Sequence, residues 1–361
     1  MSKILYAAST ASHLHAFHER YINALRDEGH EVKTLALGEG VDYNVPFEKK
    51  MLSPANSKCR RQIRKILDTE HFDTVILNTS LAAFHIRLAA RRKSRPRIVN
   101  VVHGYLFPEF AKGFKQKIKR LLLLFAEKLL ASKTDAIITM NNEDLRIAHT
   151  EALTRGPVIH TMGMGVSSPR FSASYGAIRK GSGSEGAFVL AFAGELSGRK
   201  NQSFLISALP GIIERVPNAI LWLLGDGTER ARLENEARLL GVSERVIFFG
   251  RRDNPHDYMR ECDAYVSASK SEGLPFNIVE ALGCERAVIA TRVKGHTDIL
   301  EGGAGFLFEE GNTDELVEYV AGIANGTLSA DLDKIREAAR IFSEDEVFDQ
   351  TYNAIKEAAG I

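Results

Sequence analysis

Two glutamates with seven residues between them flank a turn in the second half of the chain, in the segment SEGLPFNIVEAL. Glu272 follows an apolar run that predicts a strand, and Glu280 lies in the helix predicted next. That helix begins near Phe276 or Asn277, and its first backbone N–H groups, which have no partner inside the helix, can hold an anion. A ligand with phosphate for the amides and hydroxyls for the carboxylates fits this arrangement, as a nucleotide sugar does.

The turn between the glutamates, Gly273–Pro275, suits close contact with such a ligand, because glycine lets the backbone approach and proline needs no donor near a helix start. The segment closely resembles the Glu-x7-Glu signature of family 4 glycosyltransferases, which are retaining enzymes of the GT-B fold. The resemblance implies that Glu280 bonds the ribose hydroxyls of the donor and that Glu272 lies beside the donor sugar. The alternative is an ordinary strand, turn and helix in which Glu272 is a cap and Glu280 faces solvent.

The loop Gly194–Asn201, with the sequence GELSGRKN, follows the first predicted strand of the second half. The family usually carries an arginine and a lysine here, which neutralise the donor diphosphate. Lys200 matches the lysine, whereas Glu195 stands where the arginine is common. A helix N-terminus offers only about half a positive charge, so cationic side chains matter for binding a diphosphate. Arg199 is a minor candidate for the missing cation, and the alternative for Lys200 is a solvated loop lysine.

Two further loops resemble parts of the family's nucleotide site. Leu224–Arg230, with the sequence LGDGTER, is similar to a GDGP-type loop in which Gly225 gives the backbone close access to the nucleotide. A plain turn with Thr228 capping the next helix explains it nearly as well. Gly250–Asp253 falls where the family lines the nucleobase pocket, and Arg251 is either part of that lining or a surface charge.

The first half contributes histidines. His103 precedes a glycine at the end of a predicted strand, where the family places a histidine close to the donor sugar. The segment Ser9–His18, predicted as a loop, contains none of the glycines that most relatives have there. It resembles instead the HxxxFH pattern of capsule and exopolysaccharide enzymes, which implies an acceptor-side place for His13 and His18. A lone histidine is more often structural, and His18 has the alternative of facing the core.

The resemblance thus implies three catalytic residues, His103, Glu272 and Lys200. The residues it implies for donor binding are Glu280, Gly273, Leu274, Pro275, Phe276, Asn277, Gly194, Arg199, Gly225 and Arg251. No cofactor is expected, since the nucleotide sugar is a co-substrate and GT-B enzymes need no bound metal. The sequence shows no convincing Asp-x-Asp motif or histidine cluster.

The segment 111–133, with the sequence AKGFKQKIKRLLLLFAEKLLASK, places lysines and an arginine beside a run of leucines. Basic residues next to an apolar helical face are typical of a helix that lies on an anionic membrane surface. Ordinary buried leucines with a solvated lysine face are the alternative, and a mixture of the two is expected.

Composition limits the possible classes of protein. A chain of 361 residues is long for one core, and 47 basic against 46 acidic residues, a net charge of +1, give no case for nucleic-acid binding. Three widely spaced cysteines fit a reducing cytoplasm. The start of the chain predicts a strand and not a signal peptide, and no apolar run is long enough to span a bilayer.

Short apolar runs alternate with helical patterns in both halves, which predicts parallel βαβ units, and neither half shows GxGxxG after its first strand, which disfavours a dehydrogenase. The fold class is therefore α/β, and the resemblance implies GT-B, with two Rossmann-like domains and a deep interdomain cleft. The predicted division is an acceptor-side domain over 1–166, a Ser- and Gly-rich linker over 167–186 and a nucleotide-sugar domain over 187–342. Residues 343–361 form a final helix that, as in that fold, packs back on the first domain.

The combined prediction is a retaining glycosyltransferase of surface polysaccharide biosynthesis, peripheral at the cytoplasmic face of the membrane. It moves a sugar from a nucleotide sugar, expected to be a UDP-hexose or UDP-N-acetylhexosamine, to a lipid-linked saccharide. One alternative is a UDP-sugar epimerase, which shares the double Rossmann architecture but lacks this Glu-x7-Glu motif. The other is a catalytically silent subunit that binds sugar nucleotides, given Glu195 and the glycine-free first loop.

Overall fold

The computed structural model describes residues 1–91, 95–109 and 113–361. The chain divides into two compact units, the first formed by Met1–Met164 with Val347–Ile361 and the second by Gly165–Glu346. Each unit is built around one parallel sheet, as the alternation of apolar runs and helical patterns predicts. The prediction of two Rossmann-like domains is confirmed.

The sheet of the first unit has seven strands in the described residues, in the order β3-β2-β1-β4-β5-β6-β7. The strands are β1 Lys3–Thr10, β2 Glu31–Leu37, β3 Tyr43–Asn44, β4 Thr74–Asn78, β5 Arg97–Val102, β6 Ala136–Thr139 and β7 Val158–His160. The helices between them are α1 Ala11–Phe17, α2 Glu19–Asp27, α3 Asn56–Glu70, α4 Ser80–Ala89, α5 Phe114–Ala131 and α6 Asn142–Thr150. The central strands are buried on both faces, which explains their nearly continuous apolar sequences.

The prediction that Ser9–His18 is a loop is wrong. Strand β1 extends to Thr10, and helix α1 begins at the next residue. Without glycine, nothing in ASHLHAF interrupts a helix, and Ala11 and Leu14 are spaced so that both are buried. The helical conformation is interrupted only at His18. This residue separates α1 from α2 and has a backbone conformation outside the helical region. Most of the segment predicted as a loop is therefore helix α1.

The sheet of the second unit has six strands in the order β10-β9-β8-β11-β12-β13. The strands are β8 Phe188–Ala193, β9 Ala219–Leu224, β10 Val246–Gly250, β11 Ala264–Ser267, β12 Ala287–Thr291 and β13 Phe306–Phe308. The helices are α7 Ala177–Ser182, α8 Gln202–Arg215, α9 Arg230–Leu239, α10 Pro255–Glu261, α11 Phe276–Gly283, α12 His296–Leu300, α13 Thr313–Ala324 and α14 Leu332–Ile341, with a 3-10 turn at Ser243–Arg245.

Residues 167–186, predicted as a linker from their Ser and Gly content, are an ordered part of the second unit. They contain α7, and two carboxylates of α10 hold them in place. Asp257 accepts hydrogen bonds from the backbone N–H of Ser172 at 3.0 Å and from its hydroxyl at 2.6 Å. Glu261 accepts from the backbone N–H of Arg179 at 2.9 Å. Composition alone could not show these partners, because they lie about eighty residues further along the chain.

The final helix, α15 Glu344–Ala359, contributes residues from Val347 onward to the first unit. Its end lies against the start of two strands, where the Arg97 side chain donates to the carbonyl of Ala358 at 2.6 Å and the Thr74 hydroxyl donates to that of Ala359 at 3.3 Å. Within the described ranges, no helix combines the length and the apolar character needed to cross a bilayer.

Candidate active site

The first candidate residues lie where β8 and β11, neighbouring parallel strands, both end. The loop after β8 carries Lys200 and the turn after β11 carries Glu272, so the shared edge of the sheet brings them together. The Nζ atom of Lys200 is 2.8 Å from Oε1 of Glu272, and Nη1 of Arg199 is 2.6 Å from Oε2 of the same carboxylate. The Lys200 and Glu272 side chains are only 11% and 7% exposed. The alternative of a solvated loop lysine therefore does not describe Lys200.

The electrostatics of this group follow from its burial. Burial alone would raise the pKa of Glu272, but the charges of Lys200 and Arg199 outweigh that effect and hold the pKa below its ordinary value. Burial raises the pKa of Glu280, and the charge of Lys200 opposes part of the rise. The charge of the same ammonium therefore acts on both carboxylates of the Glu-x7-Glu motif.

Glu280 lies in the second turn of α11 and is partly buried. His256 of α10 faces it, with Nε2 of the imidazole 3.9 Å from Oε1 of the carboxylate. Nδ1 of His256 accepts a hydrogen bond from the backbone N–H of Arg170, so in the neutral ring the proton is on Nε2, towards Glu280. Sequence analysis missed His256, because a histidine after Asn-Pro carries no family signal and its approach to α11 is tertiary.

Asn277, predicted to bind the donor, uses its side chain inside the protein. Its amide donates to the carbonyl of Ala193 at 2.9 Å and to the hydroxyl of Tyr265 at 2.7 Å. Tyr265 in turn donates to the same carbonyl at 3.1 Å. This network ties the first turn of α11 to the end of β8, next to Gly194, so the side-chain amide nitrogen of Asn277 positions the helix.

The loop after β12 supports the Glu272 turn from the other side. Gly295 has a φ of +81°, and a Cβ there would lie 2.7 Å from the carbonyl oxygen of Gly273. His296 is fully buried behind it, with Nδ1 2.8 Å from the carbonyl of Thr291 and Nε2 3.4 Å from the hydroxyl of Ser267. Burial lowers the pKa of His296 to about 4. The signal that could have found this support is a Gly-His pair in the short loop after the apolar run of β12.

The glycines of the GDG loop meet a neighbouring loop. A Cβ on Gly225 would lie 1.9 Å from the carbonyl oxygen of Gly194, and one on Gly227 would lie 2.2 Å from that of Leu196. The lack of a side chain at both positions is thus required for packing the loop after β9 on the loop after β8. The alternative of a Thr228 cap is wrong, because α9 begins after Glu229 with no side-chain cap.

The remaining candidates of the second unit lie around this edge. Leu274 and Phe276 are partly buried in the turn and the first turn of α11, and Pro275 is buried at the N-cap position. Arg251 is exposed, as expected if it is a surface charge. Its nucleobase role stays a prediction.

In the first unit the fold brings three predicted histidines together. His103 follows the last residue of β5, His13 lies in α1, and His18 stands at the break between α1 and α2. We call these three residues the histidine cluster. Nε2 of His13 is 3.3 Å from Nε2 of His18, and the ring centroid of His103 is 4.9 Å from that of His13 and 5.1 Å from that of His18. The expectation that the chain lacks a histidine cluster is therefore wrong, because residues far apart in sequence meet at one end of the sheet.

Burial dominates the electrostatics of the histidine cluster. It lowers the pKa of His103 to about 3 and that of His13 to about 4, and His13 adds repulsion at His103. The pKa of His18 is lowered well below its ordinary value by burial and by the other two rings. His18 is fully buried, so it can act on an acceptor only through the other two rings.

Comparison with known proteins supports the motif-based prediction. The model described as Glycosyltransferase Family 4 matches residues 18–161, and the one described as Glycosyl transferases group 1 matches residues 175–342. The chain is 32% identical over 325 residues to EpsD of Bacillus subtilis (strain 168), a glycosyltransferase by its description, over 86% of this chain and 84% of that protein. The chain is a family 4 glycosyltransferase. The family resemblance of the SEGLPFNIVEAL segment is confirmed, and the enzyme class is that of the hexosyltransferases.

A second relative of this glycosyltransferase is a UDP-Gal:alpha-D-GlcNAc-diphosphoundecaprenol alpha-1,3-galactosyltransferase of Escherichia coli, 26% identical over 272 residues, which cover 72% of this chain and 68% of the relative. Among solved structures, Anabaena HepE in complex with UDP-glucose matches with a TM-score of 0.77 at 20% identity, over 99% of this chain and 100% of that chain. WaaG, a glycosyltransferase involved in lipopolysaccharide biosynthesis, matches with a TM-score of 0.73 at 16% identity, over 98% and 99%. These similarities confirm the GT-B fold class and do not favour the epimerase or the silent subunit.

Proposed function

We propose that this glycosyltransferase transfers a hexose or N-acetylhexosamine from a UDP-sugar to a lipid-linked saccharide, with retention, in surface polysaccharide biosynthesis. The observation that carries the proposal is the buried pair of Lys200 and Glu272 at the carboxyl edge of the second sheet, where the charge of the same ammonium also acts on Glu280. An ion pair with only a structural role could lie anywhere in the unit, whereas this one includes the first glutamate of the Glu-x7-Glu motif.

The donor diphosphate would lie against the N-terminus of α11, where Lys200 and Arg199 supply charge-assisted hydrogen bonds. Both cations contact Glu272, at 2.8 Å and 2.6 Å. A diphosphate would therefore compete with the Glu272 carboxylate for these two cations. Arg199 would supply the positive charge that the family usually has at the position of Glu195. Glu280, partly exposed, would accept hydrogen bonds from the ribose hydroxyls.

In a retaining transfer the sugar passes through an oxocarbenium-like state while negative charge builds on the departing diphosphate. Fixed cations stabilise that charge more in the transition state than in the ground state, which is how Lys200 would raise the rate. Glu272, once its cations turn to the diphosphate, would orient the donor sugar. His103 keeps its predicted place near that sugar, and no side chain is proposed as a covalent nucleophile.

The donor and acceptor classes are supported by relatives. HepE structures hold UDP with glucose and UDP-glucose, and the Escherichia coli relative uses UDP-Gal and a GlcNAc-diphosphoundecaprenol acceptor. A lipid-linked acceptor requires the enzyme to work at a membrane surface. Helix α5 has the features for this, because five large apolar side chains between 60% and 79% exposed stand among exposed lysines. These apolar residues are Phe114, Leu121, Leu122, Phe125 and Leu129.

The proposal is tested by incubating the protein with UDP-, GDP- and ADP-sugars and an undecaprenyl-diphosphate-linked sugar. Transfer or slow donor hydrolysis with a UDP-sugar is the expected result. Conversion to an isomeric UDP-sugar would indicate an epimerase, and binding without turnover a silent subunit; either result would overturn the proposal.

The matched variants are Lys200→Ala and, as control, Lys334→Ala, which removes an exposed lysine of α14 in the same unit. Losing a hydrogen bond to a charged group costs about 1.5–3 kcal/mol, so we expect Lys200→Ala to weaken UDP binding by roughly 10- to 150-fold. Calorimetric titration with UDP measures this. Equal affinities for the two variants would exclude Lys200 from the donor site.

A further inference from the structure

The histidine cluster has a geometry that ordinary packing does not require. One candidate ligand nitrogen from each of His13, His18 and His103 lies within 4.8 Å of the other two. Zinc binds imidazole nitrogen at about 2.0–2.1 Å in tetrahedral sites, which places two ligand nitrogens about 3.3–3.4 Å apart. The Nε2 atoms of His13 and His18 are 3.3 Å apart, so one edge of such a tetrahedron is already formed.

The outer contacts orient the rings for a shared ligand. Nδ1 of His18 is 3.1 Å from the hydroxyl of the buried Tyr6, and this hydrogen bond leaves Nε2 directed at the cluster. Metal-bound histidines are held in this way, with the nitrogen that does not bind the metal hydrogen-bonded to a neighbouring group. Tyr6 lies in β1, so the ring of His18 is fixed to the sheet.

His103 supplies an independent observation. Its Nε2 atom is buried and has no hydrogen-bond partner among the described residues. Buried polar atoms in proteins are nearly always paired, and an exception points to a missing ion or water. The one hydrogen bond within the cluster, between His13 and His18, leaves this nitrogen unsatisfied, whereas a cation at the centre would bind all three rings.

We propose that the histidine cluster binds a divalent transition-metal ion of the zinc type through three imidazole nitrogens. Imidazole favours zinc, copper and nickel, and the cluster contains none of the carboxylates that magnesium or manganese prefer. Three protein ligands leave a fourth position for an oxygen ligand, such as water or a hydroxyl group. The site lies wholly in the first unit and does not depend on the proposed function, since it is tested without any sugar.

The test uses the full-length chain, free of any affinity tag and stripped with a chelator. Zinc is titrated calorimetrically, and cobalt is added as a spectroscopic probe, because tetrahedral cobalt gives intense visible absorption. We expect one zinc ion per chain, a tetrahedral cobalt spectrum and a rise in melting temperature with zinc. Failure to bind one zinc per chain would overturn the proposal.

Variants distinguish the cluster from adventitious surface binding. His13→Gln removes a ligand that is only partly buried, and His15→Gln, two residues away on the same helix and exposed, is the control. We expect at least a tenfold loss of zinc affinity for His13→Gln and none for His15→Gln. Tyr6→Phe keeps all three ligands but loses the bond to His18, so its affinity should fall about 10- to 100-fold. Circular dichroism checks that each variant is folded, with His103→Asn as the replacement for any that is not; unchanged zinc affinity in the folded ligand variants would overturn the proposal.

Discussion

Glu272 is a buried carboxylate with two cationic neighbours, and this has a consequence for the donor. The same Lys200 and Arg199 atoms that would meet a diphosphate are within 2.8 Å and 2.6 Å of its oxygens. Breaking one side of a buried pair usually leaves an uncompensated charge and is destabilising. A diphosphate avoids that penalty because it brings its own negative charge to the cations.

We therefore expect Glu272→Gln to bind UDP at least as tightly as the unaltered protein while losing most of its transferase activity. The amide keeps the shape of the side chain but no longer neutralises the two cations, so the site is more positive before the donor arrives. Titration with UDP and a transfer assay measure the two effects separately. A loss of UDP affinity as large as that of Lys200→Ala would mean that the carboxylate holds the lysine in place and does not compete with the diphosphate.

His256 extends the site by one residue that no motif indicated. Its Nε2 atom, 3.9 Å from the Glu280 carboxylate, has no hydrogen-bond partner in the part of the chain that the structure describes. The pair is placed by the packing of α10 and α11, which follow different strands of the sheet. The sequence identified Glu280 as a candidate through its spacing from Glu272. It could not identify His256, because this residue is near Glu280 only in the folded protein.

At the scale of elements, helix α5 is the clearest case of a face without a protein partner in the described part of the chain. Only Leu124 and Leu130 of its apolar residues are buried, so most of the leucine run is not core. The expected mixture of buried and exposed leucines in this helix therefore consists mostly of exposed side chains. Arg120 and Lys128 are paired with Glu151, whereas Lys115, Lys117 and Lys119 are exposed. Lys112 lies outside the described residues.

This arrangement predicts that the protein sediments with phosphatidylserine-containing vesicles at low salt and is released at high salt. Each lysine near an anionic surface contributes about 1 kcal/mol, so replacing Lys115, Lys117 and Lys119 by glutamine should lower the partition coefficient roughly 100-fold. The control replaces three exposed arginines of the second unit, Arg215, Arg238 and Arg336, in the same way. Equal binding of both triple variants would remove α5 as the contact.

Helix α12 carries a second prediction, on pH. Burial holds the pKa of His296 at about 4, against an ordinary value of 6.5. The unfolded chain takes up a proton at the ordinary value and the folded chain does not, so acid favours unfolding. The contribution of His296 to stability is complete above pH 6.5 and is lost as the pH falls towards 4, by up to about 1.4 kcal/mol per pH unit.

We expect His296→Asn, which keeps a donor for the Thr291 carbonyl, to lose less stability than the unaltered protein between pH 6.5 and pH 4.5. Urea unfolding at several pH values gives the free energy of unfolding of each protein. The titration of other groups cancels in the difference between His296→Asn and the unaltered protein. The exposed His149, replaced by Asn, is the control and should track the unaltered protein. Parallel curves for His296→Asn would show that this ring does not titrate between the folded and unfolded states.

At the scale of the whole molecule, the chain builds two parallel sheets and then returns its last helix to the first unit. The buried side chains of α15 include Val347, Thr351 and Ile355, spaced four residues apart along one face. The Thr351 hydroxyl donates to the carbonyl of Gly163 at 2.6 Å, which ties this face to the segment after β7. The stability of the first unit therefore depends on residues nearly two hundred positions beyond its sheet.

Replacing the fully buried Ile355 by alanine should lower the stability of the first unit by about 2–4 kcal/mol. The donor-binding candidates belong to the second unit, so UDP affinity should be unchanged. Hydrogen exchange read out by mass spectrometry locates the loss, with faster exchange expected in β1, β4 and β5. The exposed Asn353, replaced by alanine, is the control. Faster exchange confined to the second sheet would contradict this division of the chain.

The sequence by itself determined the fold class and the two glutamates of the donor motif. Strands that are buried on both faces of a parallel sheet have continuous apolar sequences, so their alternation with helical patterns was enough to predict the two parallel sheets. The motif could be recognised because its two glutamates, its turn and its helix are close together in the sequence.

Only the tertiary structure decided which distant residues meet. It turned the expected glycine-poor loop at Ser9–His18 into a helix, made the segment 167–186 part of a domain, and placed His103 beside His13 and His18. Each outcome depends on contacts between residues far apart along the chain, and the free energy of such contacts comes from burial and pairing that a one-dimensional pattern does not contain. The histidine cluster, invisible in the sequence, exists because β1 and β5 end at the same edge of one parallel sheet.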